Sequence, residues 1–137
     1  AIDDDVRQMQ DAYRETDMGQ LPLGKRSVSP ALKERAAAME FLYRSIGRLN
    51  PARPKDFLAP IPGYRGSSAE RLAQAEFPIL FLVGDHDAVT PPEIIEACHR
   101  ATPGSQFAVI ERSGHSTYFE QPHAFNRAVM EFLVETL

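Results

Sequence analysis

The chain carries a single cysteine, Cys98, among 137 residues. One thiol excludes an internal disulfide framework and a multi-cysteine zinc site, and it fits a reducing, cytoplasmic setting. No apolar run approaches the roughly 18 residues of a membrane span, so no membrane partner is expected. The first residues, AIDDDVRQMQ, are acidic and lack the basic-then-apolar layout of a signal peptide. An excess of positive charge is also missing. The formal net charge is −4, which argues against general affinity for nucleic acid. Internal repeats and low-complexity tracts are absent. What is there is ordinary for a globular protein: 43 % apolar and 25 % charged residues. One domain of this length buries about two-thirds of the surface of its unfolded chain, enough for a core.

The charge is unevenly spread. Residues 1–17 hold six acids against Arg7 and Arg14, and residues 25–65 hold nine bases against Glu34, Glu40 and Asp56. Residues 69–137 hold four bases against ten acids. A basic middle can attract anions, with Lys25, Arg26, Arg53 and Lys55 the residues to watch. Solvated helix faces give the same pattern, and that is the reading favoured here.

The first half reads as helices. Ile2, Val6, Met9 and Tyr13 recur at helical spacing. Residues 19–28 contain Gly and Pro and read as a loop. Ser29-Pro30 reads as an N-cap with proline at the first helical position, opening a helix with the stripe Leu32, Ala36, Met39, Tyr43 and Ile46. Residues 50–66 are broken by prolines and glycines, and Ser67 with Glu70 has capping-box spacing for a short helix.

The second half changes character. Ile79–Val83 is a continuous apolar run, which predicts a strand buried on both faces. After the polar turn Gly84-Asp85-His86-Asp87, Thr90-Pro91-Pro92-Glu93 reads as a helix start with a Thr cap. That helix stops before Pro103-Gly104. Phe107–Ile110 reads as a second strand, Gly114-His115 lies in the loop after it, and Pro122 opens a last helix bearing Phe125, Val129, Phe132 and Leu133. Strand–helix–strand–helix implies an α/β class with parallel strands. Two strands alone do not make a stable parallel sheet, so the chain reads as the end of a larger α/β unit.

Functional groups in open α/β sheets collect beyond the carboxyl ends of the strands. Asp85-His86-Asp87 and Gly114-His115 both occupy such positions. A carboxylate beside an imidazole fixes the ring's tautomer and stabilises its protonated form, which is the acid–base half of a nucleophile–histidine–acid triad. With these motifs in place, FPILFLVGDHDAVTPPE and PGSQFAVIERSGHSTYFEQPHAFNRAVMEFL resemble the C-terminal portion of the α/β-hydrolase superfamily. The resemblance implies Asp87 as the triad acid and His115 as the base, with residues 1–66 as a helical cap and 67–137 as the C-terminal part of the core. It implies no cofactor.

One part of the family pattern is missing. There is no Gly-x-Ser-x-Gly elbow: in Gly63-Tyr64-Arg65-Gly66-Ser67 the serine follows the second glycine, and Ser113 and Ser116 follow the wrong strand. The nucleophile (Ser, Cys or Asp) is therefore expected in an upstream portion, either the N-terminal half of the same protein or a partner chain that completes the sheet. A homo-oligomer is a further way to cover the open edge. The expected activity is hydrolysis of an ester, lactone, amide or C–C bond of a small molecule. The alternatives are a non-catalytic fragment or binding subunit, or a same-fold dehalogenase, epoxide hydrolase, perhydrolase or cofactor-free dioxygenase. Among the remaining residues, Asp85 reads as a turn residue, His86 as its neighbour, and His99 and His123 as helix-surface residues. No histidine pair has familiar metal-ligand spacing. Tyr118 and Phe119 are candidates for lining the pocket or packing under the last helix, and Cys98 for a buried helix position.

Overall fold

A computed structural model of the protein describes residues 2–51, 54 and 68–136. Eleven elements run through these residues. The first, α1 (Ile2–Arg14), turns Val6, Met9 and Tyr13 inward and leaves Asp4, Asp5, Arg7, Asp11 and Arg14 exposed. The segment expected as a loop holds two single-turn helices, α2 (Asp17–Gln20) and α3 (Leu23–Arg26). Thr16 caps α2 by accepting a hydrogen bond from the Gly19 N–H at 3.0 Å, and Pro22 leads into α3. Pro22 thus marks a helix start, while Gly19 and Gly24 lie inside these short helices rather than excluding them. Residues Ser27, Val28 and Ser29 follow as a buried stretch.

The expected single helix after Ser29 is two. Ser29 Oγ accepts from the Ala31 N–H at 3.2 Å and opens α4 (Ala31–Arg35). Ala36, at φ −154° and ψ 64°, breaks the helix before α5 (Ala37–Leu49). The expected stripe splits with it. Leu32 is 2 % exposed, whereas Met39 and Ile46 are exposed. Once Leu32 is anchored, the break redirects α5, so positions at helical spacing no longer share one buried face. Phe41 and Leu49, 68 % and 85 % exposed, are left without cover among the described residues. Ser68 caps α6 (Ala69–Ala73) by accepting from the Arg71 N–H, one residue later than the Ser67–Glu70 spacing implies. Ser67, the Gly63–Gly66 stretch, Arg53 and Lys55 lie outside the described residues.

Two strands, β1 (Leu80–Gly84) and β2 (Gln106–Ile110), pair in parallel, from Leu80 opposite Gln106 to Gly84 opposite Ile110. The crossover helix α7 (Pro92–Arg100) packs on both strands, and α1 packs on α7. Thr90 makes no cap to α7, whose N-cap is Pro91. After the turn α8 (Thr117–Glu120), α9 (Pro122–Thr136) packs on β2, with Phe125, Val129 and Phe132 half-buried and Leu133 exposed. The core gathers Val28, Leu32, Val83, Ile94, Ala101 and Ile110. Each large aliphatic side chain there contributes about 1.5–3 kcal/mol by burial. The expectation that Ile79–Val83 is buried on both faces is corrected: only Val83 is buried, because β2 is the one strand beside β1 among the described residues.

Candidate active site

The C-terminal ends of β1 and β2 lie side by side, and the loops that leave them are joined backbone to backbone. The Asp85 N–H donates to Ile110 O at 3.1 Å, and the His86 N–H to Ser113 O at 2.9 Å. Asp85 Oδ1 accepts from the Ser113 N–H at 3.0 Å. Gly84 makes this approach possible. A Cβ there would sit 2.3 Å from the carbonyl oxygens of Ser113 and Gly114. Arg112, at φ 57°, takes the left-handed conformation that swings the chain from β2 into this loop.

Asp87 is held by two kinds of bond. Its Oδ1 accepts from the backbone N–H of Val89 at 2.8 Å and of Thr90 at 2.9 Å, closing the turn before α7. Its Oδ2 lies 2.9 Å from His115 Nδ1. The carboxyl is thus both the turn's acceptor and the imidazole's partner, while α7 has no side-chain cap, from Thr90 or from Asp87. The Asp87 side chain is 6 % exposed, and that of His115 is 45 % exposed. With Nδ1 committed to Asp87, Nε2 is the ring nitrogen left for proton transfer. The Asp87 hydrogen bond raises the His115 pKa above 6.5, burial opposes it, the Asp87 charge adds to the rise, and the Arg26 charge counters it.

Other candidates from the sequence fall outside this pair. Burial opposes ionisation of Asp85, but bonds from the Arg112 and Ser113 backbone and from His86 hold its carboxyl below the usual value. His86 Nδ1 pairs with Asp85 at 2.7 Å and is exposed. His99 bonds Ser105 Oγ at 2.8 Å and stacks on Phe107, so it is a packed residue rather than a surface one. His123 is exposed and Cys98 half-buried. Among the described residues no group of three His, Cys, Asp or Glu side chains converges as metal ligands would. Of the basic residues in the middle of the chain, Lys25 is exposed, while Arg26 turns toward the acid loop and donates to Ala88 O at 3.1 Å. Tyr13 donates to the same oxygen at 2.6 Å.

The loop bearing His115 is also tied to the first half of the chain. The Ser116 N–H donates to Ser27 O at 3.0 Å, and Ser116 Oγ lies 2.7 Å from Tyr43 Oη. Arg35 reaches the Arg112 carbonyl at 2.5 Å. Beside Ser116 opens a cleft of about 780 Å³ between α3, α5 and α8, lined by Leu23, Tyr43, Ile46, Tyr118 and Phe119 among others. Tyr43 and Phe119 meet edge to face at 5.1 Å. The sequence reading had no place for Ser27, Arg35, Tyr43 or Glu120 here, since their partners are distant in the chain.

A parallel β–α–β unit, followed by a helix, with a carboxylate and an imidazole meeting at its C-terminal end, is the C-terminal part of an α/β-hydrolase fold. The chain belongs to the TAP-like protein family of that superfamily, whose profile matches residues 60–136. It is 30 % identical over 69 residues to pimeloyl-[acyl-carrier protein] methyl ester esterase of Neisseria meningitidis serogroup B, a match that takes in 50 % of this chain and 27 % of that protein. It is 39 % identical over 66 residues to the uncharacterized carboxylesterase nap of Bacillus subtilis, covering 46 % of this chain and 21 % of the other. Among solved structures, a thermophilic esterase from Thermogutta terrifontis superposes with a TM-score of 0.68 at 27 % identity, covering 98 % of this chain and 50 % of that one. The chain therefore spans about a quarter of the length of these curated relatives and half of that esterase.

Proposed function

We propose that this chain is the acid–base half of a hydrolase acting on carboxylic esters or related acyl compounds, with Asp87 and His115 as two members of a triad. The observation that carries the reading is the 2.9 Å contact between Asp87 Oδ2 and His115 Nδ1 at the ends of adjacent parallel strands. In the mechanism, His115 Nε2 takes the proton of a nucleophile as it attacks the acyl carbon. Asp87 holds the ring in the productive tautomer and stabilises the imidazolium. His115 then returns the proton to the leaving group and afterwards activates water. The nucleophile and the oxyanion donors come from an upstream segment, the N-terminal half of the same protein or a partner chain, which also pairs with the edge of β1 that no described strand covers. Residues 1–66 form the cap and residues 67–137 the core portion. The cleft beside Ser116 takes the apolar part of the substrate, with Tyr118 and Phe119 in its wall. Support comes from the relatives named above, which are esterases by name.

The test is to express the gene product together with the sequence upstream of Ala1. It is assayed on p-nitrophenyl esters of increasing acyl length beside His115→Asn. Ester turnover lost in the variant is the expected result. Turnover that survives His115→Asn, or none with any ester by a well-folded protein, overturns the reading.

A further inference from the structure

Glu120 is the most enclosed charged side chain around the His115 loop, with 0 % side-chain exposure. A buried carboxyl is unfavourable unless its oxygens are filled with donors. Here they are filled from three directions. Oε1 accepts from the Gly114 N–H at 2.8 Å, and the Ser29 N–H reaches both oxygens, at 3.0 and 3.1 Å. The Arg35 guanidinium lies 3.5 Å from Oε2. Gly114 immediately precedes His115, and Ser29 lies 91 residues before Glu120. The packing has no slack: a Cβ on Gly114 would lie 2.6 Å from Ser29 N and 3.0 Å from Glu120 Oε1.

His115 is thus bracketed. The residue before it hangs on Glu120, and the residue after it donates to Ser27 O. Both ties lead to the buried stretch Ser27–Ser29. We propose that Glu120 is a positioning residue that locks the His115 backbone to the Ser27–Ser29 segment, so that the seating of the first half of the chain sets the Asp87–His115 contact. The inference rests on the catalytic reading of that pair. Glu120 touches no reacting atom and acts only through the loop. With Gln in its place, one oxygen acceptor becomes an amide donor: at Oε1 it takes the acceptor from the Gly114 N–H, and at Oε2 it sets a donor against the Ser29 N–H and the Arg35 guanidinium.

The experiment uses the full-length protein with Glu120→Gln and Glu120→Asp, with His115→Asn as control. Three quantities are read: kcat and KM per folded molecule, the acid limb of the kcat/KM–pH profile, and the titration midpoint of the His115 ring by NMR. The expected result for Glu120→Gln is a fall in kcat on the order of 10–100-fold with KM little changed, as a displaced base produces. The acid limb and the ring midpoint move together to lower pH, because a loosened Asp87 contact removes what raises them. Glu120→Asp, withdrawn by one methylene but still a carboxylate, shows the same changes in smaller measure and serves if the Gln variant does not fold. Lower thermal stability with kcat, acid limb and ring midpoint all unchanged overturns the proposal and leaves Glu120 a packing residue. If His115→Asn retains turnover, the catalytic reading fails, and the ring midpoint alone decides: a shift upholds the lock, no shift ends it.

Discussion

Replacing Asp87 separates two roles that one carboxyl performs. In Asp87→Asn, the side-chain oxygen can still accept from the N–H groups of Val89 and Thr90, now at 2.8 and 2.9 Å from Oδ1. The amide nitrogen then replaces Oδ2 opposite His115 Nδ1. A donor facing that nitrogen forces it to accept, so the ring's proton sits on Nε2, where the base should be empty. The fold exchanges a charge-assisted hydrogen bond for a neutral one, a loss of roughly 1 kcal/mol. The chemistry loses far more, a fall in kcat on the order of 10⁴-fold, the size seen when a triad acid becomes an amide. Asp87→Ala adds a structural cost. It orphans the two N–H groups of the turn as well, for about 1–3 kcal/mol of further destabilisation.

The assay is ester hydrolysis by the full-length protein across pH, paired with thermal unfolding of both variants. Asn and Ala should be similarly inactive, while Ala unfolds several degrees lower than Asn. Two outcomes would refute the reasoning: an Asn variant within about tenfold of the parent in kcat, or Asn and Ala variants of equal stability. The first would remove Asp87 from the chemistry, and the second would remove its Oδ1 from the turn.

Other expectations follow from the same loops. The His115 ring should titrate above pH 6.5, and because its folded pKa is raised, the stability it contributes is full below about 6.5 and lost as pH rises through the folded value. An NMR titration read beside unfolding midpoints at several pH values checks both halves of that statement, and the acid limb of kcat/KM should coincide with the ring midpoint. Gly84→Ala should destabilise by about 1–3 kcal/mol or more, since its Cβ collides with two backbone carbonyls rather than with a flexible side chain. It should also lower turnover by pushing the two loops apart; unchanged melting would show that the approach is looser than 2.3 Å implies. Residues 1–137 expressed alone should show no His115-dependent ester turnover and should self-associate in light scattering, because among the described residues β1 has one edge unpaired and α5 exposes Phe41 and Leu49. A monomeric, cooperatively folding and active chain would contradict this.

The parts of this structure that were legible from residues are those whose cause is local. The apolar runs ending at Val83 and Ile110 fall within one residue of the strand bounds, since proline, glycine and polar turns punctuate them in the chain itself. The juxtaposition of Asp87 and His115 was readable one step further on, because parallel neighbours joined by one helix must bring the loops at their carboxyl ends together. Legibility stopped where a side chain's task depends on a distant partner. Thr90 has the composition of a cap, yet α7 starts from Pro91 without a side-chain cap, and the Thr90 N–H is drawn into the Asp87 turn instead. The break at Ala36 has no helix-breaking residue to announce it. It arises where buried Leu32 and the Arg35–Glu120 pair anchor α4 while α5 runs on toward Tyr43 and Ser116. Glu120 shows the same limit most clearly. As a sequence position it is one acid among ten in the second half, and its burial becomes intelligible only when Ser29 and Gly114 arrive as donors from elsewhere in the chain. Residues around a site that hold it in place through tertiary hydrogen bonds therefore carry no periodicity to read, whereas the pair they hold follows from strand order.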